Sequence, residues 1–177
     1  IMEQTKKIHF ILPIIIVPLL VFLDQLSKKM AVINLAGKSP FVIIPGVLEF
    51  CYVENTGAAF SILQGKMFVF YIITFLIGGG ILYFMIKMPK NGKYLVLYYT
   101  FAVLLAGAFG NLIDRILYQY VVDFIYVSLI DFPVFNVADI YVTCSVFLTV
   151  ILVLFYYSED ECNNIFSIKG KKQWKNS

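Results

Sequence analysis

Two aspartates stand out among the acidic residues because apolar side chains surround each of them. Asp123 lies in the segment VVDF and Asp139 in FNVAD. Two carboxylates in a low-dielectric site share one proton, so one apparent pKa falls and the other rises. The ionised member can activate water, while the protonated member donates to an oxyanion and a leaving amine. The pair predicts aspartic protease chemistry, although Asp123 alone reads as a loop acid and Asp139 alone as a buried structural group.

Asn111 and Arg115 are four residues apart in an apolar segment, so they share one face of a predicted helix. Arg115 is the only arginine of the sequence, and its planar charged fork suits peptide carbonyls or carboxylates. Small residues recur every four positions on a neighbouring face, a pattern typical of close helix packing. This stripe comprises Ala102, Ala106, Gly110 and Asp114. We therefore assign Gly110 and Asp114 structural roles, with Asp114 in a salt bridge.

Further polar residues lie where apolar segments begin or end. Asp24 and Lys28 are four apart in the first apolar segment, where they form either an interfacial ion pair or part of a site. Asn55 and Gly57 precede the second segment, in a turn whose small residues permit close backbone approach. Asn136 is three residues before Asp139, on the same predicted helical face. These residues are candidates for supporting the two aspartates.

The sequence contains no pattern that predicts a metal or cofactor site. Its three cysteines, Cys51, Cys144 and Cys162, have no paired spacing. The single histidine, His9, lies at the opposite end of the first apolar segment from Lys28, which argues against serine-type catalysis. The net charge of +3 is small and is not interleaved with aromatic residues, so nucleic-acid binding is not predicted.

The composition requires a membrane protein. Hydrophobic residues make up 60% of the sequence and charged residues 14%, against about 45–50% and about 25% in soluble domains. A spanning helix needs about 20 mostly apolar residues. Four segments qualify, at about residues 8–30, 67–86, 94–115 and 133–157. We read the first as a retained helix rather than a cleaved signal peptide.

The distribution of lysines predicts the orientation. The N-terminal segment, the loop between the second and third spans, and residues 159–177 together carry nine lysines and four acids. The positive-inside rule therefore places both termini in the cytoplasm and the polar candidates near the outer face. Residues 40–55 are rich in Val, Ile, Phe and Tyr between Pro and Gly, which favours a small outer β-element. We predict one domain over residues 1–158, a membrane all-α four-helix bundle, followed by a polar cytoplasmic tail over 159–177.

Five motifs, in this order, resemble those of the bacterial lipoprotein signal peptidases (signal peptidase II). They are DQLSK at 24–28, NTGAAF at 55–60, GNLIDR at 110–115, VVDF at 121–124 and FNVAD at 135–139. Ile140 departs from the family, which often has a small hydroxyl residue there. The resemblance covers nearly the whole sequence from about residue 8 to residue 157.

The resemblance implies an enzyme of the bacterial cytoplasmic (inner) membrane, with its site near the extracytoplasmic face. Its substrate would be a prolipoprotein, cut before a diacylglyceryl-modified cysteine, and the cyclic peptide globomycin would inhibit it. Asp123 and Asp139 would be the catalytic pair in a protein expected to be monomeric and surrounded by membrane lipids. The supporting and substrate-binding residues implied are Asp24, Lys28, Asn55, Gly57, Asn111, Arg115 and Asn136.

Three other functions fit the sequence less well. A proton-coupled transporter also uses buried acids, but four spans without an inverted repeat would require a dimer and a site at the membrane midplane. The presenilin-like type of intramembrane protease carries a Gly-x-Gly-Asp motif, which this sequence lacks. A structural scaffold would leave the paired carboxylates unexplained.

Overall fold

A computed structural model describes residues 11–57 and 66–166, which contain five α-helices and three β-strands. Ala58 to Phe60 of the second motif, His9 and residues 167–177 lie outside this part of the chain. The helices are α1 (Pro13–Leu35), α2 (Met67–Lys87), α3 (Leu95–Tyr118), α4 (Val137–Ile151) and α5 (Glu159–Phe166). The strands are β1 (Phe41–Ile44), β2 (Leu48–Asn55) and β3 (Val121–Tyr126).

Among the described residues, three helical segments are long and apolar enough to cross a membrane. They are Met67–Lys87, Gly92–Tyr118 and Val137–Tyr156, the last of which extends α4 by a π-helical turn. These segments lie within or close to the predicted second, third and fourth spans. Helix α1 overlaps the predicted first span of about residues 8–30 but ends five residues later and carries Asp24, Lys28 and Lys29, so the count of four spans stays a prediction. Large apolar side chains are exposed around the outside, as expected where lipid is the solvent.

Helix α4 begins at Val137, four residues after the predicted start at Pro133. The side chain of Asn136 accepts a hydrogen bond from the backbone N–H of Asp139, and the Asp139 side chain accepts one from the backbone N–H of Asn136. This reciprocal capping box satisfies two backbone donors at the helix start. The residue that starts the helix is therefore the capping asparagine, not the proline.

Helix α3 is the centre of the bundle and packs against α1, α2 and α4. Its small residues bring the backbones together. A Cβ on Gly107 would lie 2.6 Å from the carbonyl oxygen of Ala138, and one on Gly110 would lie 2.5 Å from Asp24 Oδ2. Gly110 belongs to the stripe predicted from the sequence, and its added Cβ would also lie 3.2 Å from Ala138 Cβ of α4. Gly107 was not part of that stripe and adds a second close contact with α4.

We expect Gly107→Ala to destabilise the protein, because its Cβ would overlap the backbone of α4. Overpacking of this kind typically costs about 1–3 kcal/mol. The matched control is Gly80→Ala in α2, where an added Cβ meets nothing within 4 Å. Thermal unfolding in detergent should show a lower midpoint for Gly107→Ala than for the unaltered protein, and no decrease for Gly80→Ala. Equal midpoints for the two variants would mean that α3 and α4 do not pack this closely.

The three strands form one antiparallel sheet in the order β1-β2-β3. The predicted outer β-element over residues 40–55 corresponds to β1 and β2. The third strand was not predicted, although the sequence VVDFIY has the β-branched and aromatic composition of a strand. In β3, Val122 and Phe124 pack against Ala31 and Leu35 of α1. The sheet is thereby attached to the end of the bundle that carries the candidate site.

The polar segment predicted to begin at residue 159 starts as helix α5. Ile165 is only 1% exposed and packs with Met85, Met88 and Leu97 in the apolar cluster between the helices. One apolar face thus holds the first eight residues of this segment against the bundle, a feature that its acidic composition did not predict.

Candidate active site

Asp139 is fixed at the first turn of α4. One of its carboxylate oxygens accepts a hydrogen bond from the backbone N–H of Asn136 at 3.1 Å. The other accepts one from Nδ2 of Asn111 at 2.7 Å. Two donors from two elements thus hold the carboxylate in one orientation at the edge of a cavity.

Asp123 lies in β3 with 2% of its surface exposed. Its Oδ1 accepts a hydrogen bond of 2.6 Å from Nδ2 of Asn136, and its Oδ2 accepts one of 2.8 Å from Nδ2 of Asn55. Asn136 therefore contacts both aspartates, Asp139 through its backbone and Asp123 through its side chain. The structure brings together the two carboxylates that the sequence singled out, through a residue that the sequence also predicted.

Burial raises the pKa of Asp123 to about 6, and the negative charge of Asp139 acts in the same direction. The hydrogen bonds from Asn55 and Asn136 oppose this shift because they stabilise the ionised form. A carboxyl group with such a pKa retains its proton into the mildly acidic range. The pair is therefore suited to hold one proton and one negative charge together.

Asn111 connects the aspartates to the interior of the bundle. Its Oδ1 accepts hydrogen bonds from Lys28 Nζ at 2.8 Å and from Asn136 Nδ2 at 3.1 Å. A lysine ammonium and an amide NH2 can only donate. The oxygen of Asn111 must therefore face these two groups, and its NH2 must face Asp139.

Behind Asn111 lies a buried charge cluster of Asp24, Lys28 and Asp114, each at most 3% exposed. Lys28 Nζ is 2.9 Å from Asp24 Oδ2 and 3.1 Å from Asp114 Oδ2. The sequence left open whether Asp24 and Lys28 form an ion pair at the interface. They do pair, but in the interior between α1 and α3, and Asp114 takes part in the salt bridge predicted for it.

The cluster has two carboxylates and one ammonium group, and uncharged hydrogen-bond donors stabilise the carboxylates. Gln25 Nε2 donates to Asp114 Oδ1 at 2.8 Å and to the carbonyl oxygen of Gly110 at 3.1 Å. Asp24 accepts from the backbone N–H of Ala138, and Asp114 from that of Val122. The cluster thus ties α1, α3, α4 and β3 together. Sequence reasoning missed Gln25, for which the only signal is an amide side chain inside an apolar segment.

Arg115 and Gly57 line the same cavity. Arg115 donates weakly to the carbonyl oxygens of Asn111 and Gly57, at 3.4 and 3.5 Å, and its guanidinium stacks 4.5 Å from the ring centre of Phe70. Within residues 11–57 and 66–166, its buried Nε has no hydrogen-bond partner. The Gly57 N–H donates to Asn55 Oδ1, which orients the Asn55 amide towards Asp123. Arg115 therefore keeps donor capacity available for a ligand.

Both aspartates, Asn111 and Arg115 line a cavity of about 720 Å³. Its remaining wall is largely apolar, with Val53, Phe132, Ile140 and Cys144 among the lining residues. An apolar cavity of this size with a few convergent polar groups is typical of a ligand site. No three His, Cys, Asp or Glu side chains gather as metal ligands in the part of the chain that the structure describes. The arrangement suits acid–base hydrolysis of an amphipathic substrate.

Comparisons with known proteins agree with this chemistry. The family model described as signal peptidase (SPase) II matches residues 16–155. The lipoprotein signal peptidase of Caldanaerobacter subterraneus is 43% identical over 80% of this chain and 95% of its own length. That of Streptococcus pyogenes is 40% identical over 90% of this chain and 99% of its own length.

Two solved structures of bacterial membrane enzymes have a similar fold. One shares 36% identity and superposes with a TM-score of 0.72 over 93% of both chains. The other shares 38% identity and the same TM-score over 82% of this chain and 94% of its own. The family model covers most of the chain and the relatives match nearly their full length, so this chain belongs to the signal peptidase II family and is a membrane protease.

Proposed function

We propose that this enzyme removes signal peptides from prolipoproteins, with Asp123 and Asp139 as its catalytic pair. The observation that carries the proposal is the position of Asn136, which donates to both carboxylates at the edge of one cavity. Both relatives described above are named lipoprotein signal peptidases, which supports the substrate class.

In the proposed mechanism Asp139 is the base. Asn111 Nδ2 and the Asn136 N–H donate to its two oxygens and stabilise a negative charge there. Asp139 would take a proton from water as the water attacks the scissile carbonyl. Asp123, whose pKa is raised to about 6, would start the reaction protonated and would donate that proton to the nitrogen of the leaving amine. Asn55 and Asn136 keep Asp123 oriented through this exchange.

Arg115 is proposed to bind the substrate backbone. Its guanidinium makes only long hydrogen bonds and stacks on Phe70, so it can turn its donors towards carbonyl oxygens in the cavity. Gly57 lines the cavity beside Arg115, and its carbonyl oxygen accepts one of these long hydrogen bonds. A permanently charged fork fits this task better than a single ammonium.

The membrane placement follows from the same proposal. We propose four spans including α1, both termini in the cytoplasm, and a site near the extracytoplasmic face of the bacterial inner membrane. Residues 1–158 would form one domain that acts as a monomer. The apolar cavity wall suits a diacylglyceryl-modified cysteine arriving from the bilayer, and a cyclic peptide such as globomycin would compete for it.

The substrate class can be tested with purified enzyme in detergent. The enzyme is incubated with a lipid-modified prolipoprotein, and the new N-terminus is identified by mass spectrometry. The control is a secreted precursor with an equally apolar signal peptide but no lipid-modified cysteine. Cleavage directly before the modified cysteine, with the control left intact and globomycin inhibitory, is the expected result. Cleavage of the control at a similar rate would refute lipoprotein specificity.

The assignment of Asp123 as the proton donor predicts a pH dependence. The acid form of Asp123 is lost as the pH rises through about 6, so kcat/KM should decline on the alkaline side of that value. Asn55 stabilises the ionised form and lowers this pKa. Asn55→Ala should therefore move the alkaline limb of the profile to higher pH, whatever its effect on the maximal rate. A limb that stays in place or moves to lower pH would contradict the assignment.

A further inference from the structure

A second apolar cavity lies between α3 and α4, and we call it the α3–α4 groove. It has a volume of about 400 Å³, and its walls include Val96, Thr100 and Val103 of α3 and Cys144 and Leu148 of α4. The α3 residues are four and three positions apart and the α4 residues are four apart, so each set occupies one face of its helix. Both helices belong to segments that are long and apolar enough to cross a membrane, which places the groove at the depth of the bilayer.

The α3–α4 groove adjoins the cavity that the two aspartates line. Cys144 lines both cavities, and Ile140 and Thr143 of the same helix also line the one that holds the aspartates. Asp139 is in the first turn of α4, five residues before Cys144 and nine before Leu148. At a rise of about 1.5 Å per residue, the groove extends from about 8 to about 14 Å beyond the level of Asp139. It therefore leads from the carboxylates towards the other end of the bundle.

The surface of the groove suits an aliphatic ligand. Val96 of α3 and Leu148 of α4 are 48% and 39% exposed, whereas Thr100 is 5% exposed. The Thr100 hydroxyl donates to the carbonyl oxygen of Val96 at 2.9 Å, so its hydrogen-bonding requirement is met within α3. A ligand that covers this surface gains from apolar burial and leaves no donor of Thr100 unpaired.

The part of the substrate that this position fits is the segment before the scissile bond. A signal peptide carries an apolar segment of about 7–15 residues, followed by a short cleavage region of small residues. Two or three extended residues cover the distance of about 8 Å between Asp139 and the groove, and the apolar segment as a helix is about 10–22 Å long. Apolar residues at helical spacing along a groove are typical of sites that bind an apolar helix.

We propose that the α3–α4 groove binds the apolar segment of the signal peptide, while the adjoining cavity holds the residues around the scissile bond. The proposal rests on the proposed removal of signal peptides and adds the surface that recognises them. The lipid-modified cysteine follows the scissile bond, so its acyl chains are assigned to the cavity with the aspartates and not to the groove.

Leu148→Trp should fill the groove. Its matched control is Val146→Trp, because Val146 is 48% exposed, lies two residues earlier on α4 and, within the described part of the chain, lines neither cavity. Each variant is assayed with a full-length prolipoprotein and with a short lipopeptide that has the same modified cysteine but lacks the apolar segment. The kcat/KM for the prolipoprotein relative to that for the lipopeptide should fall about 10-fold or more in Leu148→Trp, as expected when a side chain no longer fits an apolar pocket. An unchanged ratio, or an equal fall in Val146→Trp, would overturn the proposal.

Cross-linking separates this proposal from the proposed cleavage reaction. Photoreactive benzoylphenylalanine replaces either Leu148 or Val146 in the Asp139→Asn enzyme, which is mixed with prolipoprotein in nanodiscs and illuminated. Mass spectrometry should find the apolar segment attached to position 148 and only lipid attached to position 146. Attachment at position 148 without any cleavage by the unaltered enzyme would support the groove and refute the proposed reaction. Attachment of lipid alone at position 148, with cleavage intact, would refute the groove as the binding site of the signal peptide.

Discussion

Asp139→Asn and Asp123→Asn should each reduce the rate of prolipoprotein cleavage by at least about 10³-fold, within the range known for loss of a general acid or base. Asparagine keeps the shape of the side chain but can neither take a proton from water nor supply one to the leaving amine. Because the two aspartates are proposed to act together in one proton-transfer sequence, the double variant should be little less active than either single variant. Steady-state kinetics in detergent with a lipid-modified substrate measures all three.

The matched control for these variants is Asp131→Asn. Asp131 is exposed, follows β3 and accepts a hydrogen bond from Tyr126 at 2.7 Å. Its backbone has a positive φ of 48°, a conformation that asparagine adopts as readily as aspartate. This variant should cleave at nearly the normal rate. If Asp139→Asn or Asp123→Asn retained comparable activity, that residue would not belong to the catalytic pair.

Lys28→Met should be the most destabilising single substitution in the bundle. Lys28 is the only cation within salt-bridge distance of Asp24 and Asp114 among the described residues, and all three side chains are buried. Removal of one partner from a buried ion pair costs about 3–5 kcal/mol, because the remaining charge is left uncompensated. Here two carboxylates would lose their counter-charge. Thermal unfolding in detergent should show a large drop in the midpoint.

Lys28→Met should also lower activity in the protein that remains folded. Without the ammonium, Asn111 loses one of the two donors that fix its oxygen, and its NH2 is less firmly held towards Asp139. Lys29→Met is the control, since Lys29 is the adjacent residue and is exposed. Equal stability of the two variants would show that the buried charge cluster does not hold the helices together.

The site residues that could be predicted from the sequence are mainly polar or charged side chains within apolar segments. Arg115, Asn111 and Asp139 are costly in a membrane unless they have a role. Asn136 was predicted to share a helical face with Asp139, but it precedes the helix and caps it instead. Asn55 and Gly57 carry only a weak signal of their own, which the family resemblance strengthened. Structure places all of them around one cavity or directly behind it.

Other features depend on contacts between segments far apart in the sequence. Gln25 acts through Asp114 and Gly110 of another helix, so no local pattern distinguishes it from a solvated amide. Strand β3 is short and follows directly on α3, and its pairing with β2 decides that Asp123 is buried rather than a loop acid. Helix α5 reads as polar because only Ile165 and its neighbours face the bundle.

The most direct test of the central claim is cleavage of a prolipoprotein in its diacylglyceryl-modified and unmodified forms, each with the unaltered enzyme and with Asp139→Asn. We expect the unaltered enzyme to cut only the modified form, directly before the cysteine, and Asp139→Asn to cut neither. Equal cleavage of both forms, or cleavage that survives in a correctly folded Asp139→Asn protein, would contradict a peptidase that recognises lipid and works through this aspartate pair.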